Sequence, residues 1–126
     1  MASAQDSIRP DSPSGTQLAA LSDALVKLHK ESCGRGPTNA RCFASGGVVV
    51  CLLFGGLTRA EQTLIASGGA PAVIRHRESL YEVMKPQACA LVEEQLGRRV
   101  TAMTMAADPA NELETVVFVL DAPPDL

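Results

Sequence analysis

The chain has 126 residues, a formal net charge of −3 and no tryptophan. This length supports one domain built around one hydrophobic core. Lys and Arg number 11 against 14 Asp and Glu. The basic residues form no cluster longer than a pair, so the composition argues against a nucleic-acid partner. The longest apolar run, Val48 to Phe54, is far shorter than the roughly 20 residues that span a bilayer. The sequence therefore predicts a soluble protein without direct membrane insertion.

The two ends of the chain are expected to be tails. Residues 1–15 are rich in Ser, Asp and Pro and carry no apolar core of a secretory signal. We therefore expect a flexible N-terminal tail, a single domain over residues 16–121 and a cytoplasmic location. Residues 122–126 include a Pro-Pro pair, which cannot continue a central strand, and are expected to form a C-terminal tail.

A first helix is expected from about Thr16 to Cys33. Ser14 and Gln17 have the spacing of a capping box at its start. A narrow leucine seam on one face suits packing on a sheet or pairing with a second copy of the helix, and the sequence does not choose between them. The seam consists of Leu18, Leu21, Leu25 and Leu28.

The segment Gly34-Arg35-Gly36-Pro37 ends this helix. Gly34 can adopt the left-handed conformation that closes a helix, and Pro37 restricts Gly36, so Arg35 lies on a fixed corner. Such a corner can direct backbone N–H groups toward an anion, although a helix end followed by a turn also explains it. It is not a Walker-type phosphate loop, because no Gly-Lys-Ser/Thr opens a helix here. All four residues are candidate ligand or interaction residues.

Two strands, Ala40–Ala44 and Val48–Phe54, are expected to form a hairpin through Gly46 and Gly47. The Gly-Gly pair predicts a type I′ turn, which needs positive φ at both central positions. The second strand is apolar on both faces, so we expect a central strand covered by helices on one face and open to a partner subunit on the other. In the expected register Arg41 lies opposite Leu52, and Phe43 lies opposite Val50.

A short helix should follow Gly55-Gly56 and end near Gly68-Gly69. Thr58 at the N-cap and Glu61 three residues later form a second capping box. Capping explains both side chains, and both are also kept as candidate interaction residues.

A long helix is expected from Pro71 toward Gly97, with a kink or a split near Lys85 caused by Pro86. Arg77 falls in the middle of its apolar stripe, whereas Arg75 projects toward solvent. A buried guanidinium needs a partner, because an unpaired buried charge costs several kcal/mol. The alternatives are an internal pair with Glu61, Glu78 or a sheet carbonyl, a bound anion, or a subunit contact. The stripe itself consists of Val73, Leu80, Met84 and Leu91.

Strands over Val100–Ala106 and Glu114–Leu120 should form a second hairpin, turned by Asp108 to Asn111. The order is then α-β-β-α-α-β-β. We predict a single α+β domain with a four-stranded, mainly antiparallel sheet and helices largely on one face.

The residues of common catalytic and metal sites do not occur in the required patterns. The four cysteines stand singly, so no zinc site or redox pair is expected. His29 and His76 match no metal-binding spacing and are expected at the surface or its boundary. No G-x-S-x-G elbow is present. The sequence therefore predicts no cofactor, no metal and no enzymatic activity.

With these segments in place, the chain resembles the MpsC-like family, formerly a domain of unknown function, over roughly Gln17 to Asp121. Both Arg35 and Arg77 fall on positions of the family pattern. The resemblance rests on the ordered set His29-Lys-Glu31, Gly34-Arg-Gly-Pro37, Leu57-Thr58, Glu61, Leu64, Arg77, Met84, Pro86, Glu93, Gly97-Arg98, Val100 and Phe118-Val-Leu120.

The resemblance implies an accessory or regulatory component of a membrane-potential-generating system linked to cation translocation and dissolved inorganic carbon uptake. We expect such a component to dock on a membrane transport complex through protein contacts, at the inner face of the membrane. We also expect a homodimer, because the doubly apolar second strand needs a cover on its other face. The alternative from a different class is a small-anion sensor for bicarbonate or a phosphorylated metabolite. That alternative requires Arg35 and Arg77 to converge.

Overall fold

The computed structural model describes residues 13–121. The predicted tails fall largely on residues 1–12 and 122–126, which lie outside the described residues. The element order confirms the predicted α-β-β-α-α-β-β pattern and the α+β class. The elements are α1 (Gly15–Cys33), β1 (Asn39–Ser45), β2 (Val48–Phe54), α2 (Arg59–Ala66), α3 (Ala70–Leu96), β3 (Val100–Asp108), a 3-10 turn (Pro109–Asn111) and β4 (Leu113–Leu120).

The four strands form one antiparallel sheet in the order β1-β2-β4-β3. The doubly apolar strand β2 is central, as predicted. The predicted register is also confirmed, since Arg41 pairs with Leu52 and Phe43 pairs with Val50. The predicted type I′ turn is wrong. Of its two glycines, only Gly46 has a positive φ, at 57°. One positive φ at the first central position is the requirement of a type II′ turn instead.

Strand alternation divides the sheet into a covered face and an open face. Val49, Cys51 and Phe118 point toward α1 and α3 and are fully buried in the core. The side chains between them point to the other face, on which no helix of residues 13–121 packs. We call this second surface the open face, and its apolar centre consists of Phe43, Val48, Val50, Leu52, Val117 and Val119.

Helix α3 runs without interruption through Pro86. The predicted split near Lys85 is therefore wrong. Proline removes one backbone hydrogen bond from a helix, and the carbonyl four residues earlier loses its partner. Pro86 and Glu82 are both exposed, so water can reach that carbonyl and the helix continues.

The buried stripe of α3 follows steps of mostly four residues rather than the predicted positions. Tyr81 and Val92 are buried where Leu80 and Leu91 were expected, and both leucines are only half-buried. A row of i, i+4 steps drifts slowly around the helix, so the stripe shifts by one residue over its length. The buried residues are Val73, Arg77, Tyr81, Met84, Ala88, Val92 and Leu96.

Candidate functional site

The corner after α1, from Gly34 to Pro37, is shaped by backbone contacts. Gly34 closes α1 in the left-handed conformation, with φ 89°, and its N–H donates to the carbonyl of Lys30. Gly36 lies against α1, where an added Cβ would stand 3.2 Å from the carbonyl oxygen of Val26. Arg35 is exposed, and its Nη1 donates to the carbonyl of Leu57 at 3.3 Å.

The chain between β2 and α2 lies directly against this corner. Gly55 has a φ of 77°, and a Cβ there would come within 2.3 Å of Thr38 Oγ1. Gly56 is less tightly placed, since a Cβ there would meet the nitrogen of buried Pro37 at 3.4 Å, an ordinary van der Waals contact. Gly55 therefore allows this segment to approach Thr38 more closely than a residue with a Cβ could.

Helix α2 begins with the predicted capping box. The N–H of Glu61 donates to Thr58 Oγ1 at 3.2 Å, and the N–H of Thr58 donates to Glu61 Oε1 at 2.9 Å. The Thr58 hydroxyl also donates to the same carboxylate oxygen. Glu61 is the buried residue of α2. Its carboxylate therefore caps the start of the helix and also faces the protein interior.

Arg77 is fully buried at the centre of this region. Its Nε donates to Glu61 Oε2 at 2.7 Å and its Nη2 to Glu61 Oε1 at 2.5 Å, a bidentate pair. Nη2 also donates to the carbonyl of Gly56 at 3.0 Å, and Nη1 donates to Glu114 Oε1 at 3.2 Å. Of the partners that the sequence left open, Glu61 is confirmed, whereas Glu78 is exposed to solvent.

Three further side chains complete this buried network, and sequence reasoning missed all of them. Glu114 lies on the covered face of the sheet and accepts a hydrogen bond from the Tyr81 hydroxyl. His29 lies 3.8 Å from the same carboxylate through Nε2, and its Nδ1 hydrogen bonds to the carbonyl of Leu25 at 2.8 Å. His29 is fully buried, so its expected surface position is wrong.

Simple spacing contains the signal for these residues. Glu114 stands two residues before Val116 on β4, so strand alternation places it on the covered face. His29 stands four residues after Leu25, which continues the buried row of α1. Tyr81 stands four residues after Arg77 in the same way. The expected leucine seam of α1 is buried at Leu21, Leu25 and Leu28, whereas the stripe expected on α3 lies one residue away from Tyr81 and Val92.

Burial and charge act against each other in this network. Burial disfavours the ionised carboxyl of Glu61, but hydrogen bonds from Arg77 and Thr58 outweigh it and lower its pKa. Burial also disfavours the Arg77 cation, but Glu61 and Glu114 outweigh it and raise the pKa. Arg77 therefore stays charged at every relevant pH, with its charge neutralised inside the protein.

Tyr81 and His29 are held neutral. Burial, together with the charge of Glu114, raises the pKa of the Tyr81 hydroxyl, which acts as a hydrogen-bond donor. Burial lowers the pKa of His29, and this effect exceeds the opposing attraction of Glu114. His29 Nε2 has no hydrogen-bond partner within the described residues.

The seven candidate residues thus lie in one region but do different work. Gly34, Gly36 and Pro37 shape the corner, while Thr58 and Glu61 begin α2. Arg35 and Arg77 donate hydrogen bonds to the backbone carbonyls of Leu57 and Gly56, in the segment between β2 and α2.

An open cleft of about 330 Å³ lies beside the corner, between α1 and the start of β1. Its lining includes the carboxylate of Asp23 and neither arginine, which does not favour an anion there.

No group of three or more His, Cys, Asp or Glu side chains within residues 13–121 could hold a metal ion. No helix in this range is long and apolar enough to cross a membrane.

The fold and the network define a small α+β domain with a charged interior. A family model described as "Na+-translocating membrane potential-generating system (MpsC)" matches residues 14–122, nearly the whole chain. The chain therefore belongs to the MpsC family. No curated protein and no solved structure matches it.

Proposed function

We propose that this protein is a non-enzymatic accessory component of a Na+-translocating membrane-potential-generating system. It acts as a cytoplasmic homodimer and reaches the inner face of the membrane through contacts with a membrane transport complex. The observation that carries this proposal is the family match over residues 14–122. That match includes every helix and strand of the domain.

The buried network supports a non-enzymatic role. Acid–base catalysis needs a titratable group within hydrogen-bond reach of a substrate. Glu61, Tyr81 and His29 are instead buried to 97% or more and are directed at protein atoms. Because these groups are removed from solvent, they offer nothing to a substrate, and we assign the function to surfaces rather than to this cluster.

The proposal is tested in the native host. Deletion of the chain should lower the Na+-dependent membrane potential and the uptake of dissolved inorganic carbon, which the family resemblance links to this system. Re-expression should restore both. A tagged copy, cross-linked in cells, should co-purify with membrane proteins that an untagged copy does not retain. Unchanged potential and uptake after deletion, together with no retained membrane protein, would overturn the proposal.

A second proposal is a small-anion sensor for bicarbonate or a phosphorylated metabolite. An anion at Arg77 would have to displace the carboxylates of Glu61 and Glu114, so this function depends on Arg35, which is exposed. Calorimetric titration with bicarbonate and with inorganic phosphate tests it. Saturable binding that Arg35→Ala abolishes and Arg75→Ala retains would support the sensor. No binding by the folded wild-type chain would exclude it.

A further inference from the structure

The open face of the sheet is more apolar than a solvent-exposed protein surface usually is. Strand β2 contains no polar residue, although half of its side chains point away from the helices. Phe43, on the neighbouring edge strand, is 50% exposed. A contiguous apolar patch at the centre of a sheet marks an interaction surface.

Charged side chains on this face occur at its two opposite edges. Arg41 lies on edge strand β1, and through the register its row continues across Leu52 and Thr115 to Ala106 on edge strand β3. Asp108 follows two residues later on β3, on the same face. The cation and the anion thus lie at opposite edges and about 7 Å apart along the strand direction.

We propose that the open face is a homodimer interface, in which a second copy packs face to face with its twofold axis parallel to the strands. This axis lays β1 of each copy over β3 of the other. Each Arg41 then meets Asp108 of the second copy across sheets about 10 Å apart, within reach of an extended arginine. A twofold axis perpendicular to the strands would lay β1 over β1 and bring the two Arg41 cations together.

The size of the face suits this occupant. Four strands about 4.8 Å apart and seven residues rising about 3.3 Å each give a face of roughly 19 by 23 Å. Two flat faces of this size would bury about 900 Å², and projecting side chains such as Phe43 add to that area, which brings it to the ~1,000 Å² at the lower limit of a biological interface. The chain's own first twelve residues offer only Met1 and Ile8 as large apolar side chains, too few to cover it.

The inference deepens the proposed function, since it locates the homodimer contact of that proposal, and it is tested on the purified full chain without membranes. Light scattering after size exclusion should give twice the 13.2 kDa chain mass at about 100 µM. Val50→Lys, at the centre of the face, should give a monomer with an unchanged circular dichroism spectrum. Val83→Lys makes the same change at a 67% exposed site on α3 and should stay dimeric.

Exchanging the charges of Arg41 and Asp108 tests the relative orientation of the two copies. This test does not require the sheet to remain folded with a lysine at position 50. Arg41→Asp and Asp108→Arg should each raise the dimer dissociation constant about tenfold or more, and the double variant should return it to within about threefold of wild type. Asp108 also accepts a hydrogen bond from Asn111 at 2.9 Å, so Asn111→Ala is the control for that loss.

Three results would overturn the inference. They are a monomeric wild-type chain, a folded Val50→Lys variant that stays dimeric, and a charge exchange without rescue. A monomer that still co-purified with a membrane complex would remove this interface and the homodimer, and leave the accessory role standing.

Discussion

The guanidinium groups of Arg35 and Arg77 bind consecutive backbone carbonyls, those of Leu57 and Gly56. Arg35 reaches this segment from the exposed corner after α1, and Arg77 reaches it from the buried face of α3. The two arginines therefore converge, but on protein backbone rather than on a bound anion. They connect the end of α1, the segment before α2, and α3.

The first prediction concerns Arg77. Arg77→Ala leaves the carboxylates of Glu61 and Glu114 buried without their cation, and we expect a loss of about 3–5 kcal/mol in the free energy of unfolding. Arg77→Lys keeps the charge but loses the bidentate geometry, so it should lie between alanine and wild type. Urea unfolding measures both.

Arg75→Ala is the matched control for this prediction, since Arg75 is exposed two residues away on the same helix. It should change the unfolding free energy by less than about 0.5 kcal/mol. Equal effects at the two arginines would contradict the assigned network.

The second prediction concerns the start of α2. Thr58→Ala removes the side-chain acceptor for the N–H of Glu61 and one donor to the Glu61 carboxylate. We expect a loss of about 1–2 kcal/mol. Thr58→Ser keeps the hydroxyl and should lose less than half as much. Thermal unfolding of the two variants tests this, and an equal loss in both would show that the methyl group matters rather than the cap.

The third prediction uses two glycines with similar backbone angles. Gly55 has φ 77° and Gly68 has φ 81°, but an added Cβ meets Thr38 Oγ1 at 2.3 Å at Gly55 and nothing within 4 Å at Gly68. Both alanine variants should lose about 1–2 kcal/mol from the left-handed backbone. Gly55→Ala should lose more in chemical denaturation.

Thr38→Ala tests the cause of that difference. Combined with Gly55→Ala, it removes the atom that the new Cβ would meet and should recover part of the loss. If the double variant shows simple addition of the two single effects, the close approach of these segments is not the cause.

The fourth prediction concerns acid. Because the folded pKa of His29 lies below 6.5, the unfolded chain binds a proton first as the pH falls. Stability should therefore decrease between about pH 7 and pH 5, with a slope of up to about 1.4 kcal/mol per pH unit. The lowered pKa of Glu61 acts in the same direction, but only below its usual value of 4.5.

His29→Asn should flatten this dependence, since the amide does not titrate. His76 is exposed, and His76→Asn should leave the slope as in wild type. Urea midpoints measured across this pH range decide the matter, and an unchanged slope in His29→Asn would assign the acid sensitivity to other groups.

Local chemistry made much of this fold predictable. Short sequence spacings predict the capping boxes that begin at Ser14 and Thr58 and the left-handed conformation of Gly34. Each of these features is present in the structure. The first hairpin could be predicted to the residue because a two-residue loop fixes the register. The shape of its turn could not, since Gly-Gly permits several turn types.

The charged interior was predictable in part. Arg77 stands out because a cation on an apolar stripe needs a partner, and Glu61 was among those considered. Glu114 is distant in sequence, and only the pairing of β4 with β2 brings it across from α3. The small shift of the buried stripe of α3 hid Tyr81 for a similar reason, since helix packing selects the row of side chains that faces the sheet.

Local sequence patterns were enough to predict the order and approximate extent of the helices and strands, the residues that cap α1 and α2, and the need to neutralise a buried arginine. These are properties of neighbouring residues and of the period of each element. Three other features follow from packing between distant elements: Arg77 is neutralised by Glu61 and Glu114, His29 is buried, and Arg35 and Arg77 converge on backbone carbonyls. These contacts join segments that are far apart in the sequence, so their geometry exists only once the sheet and helices have packed.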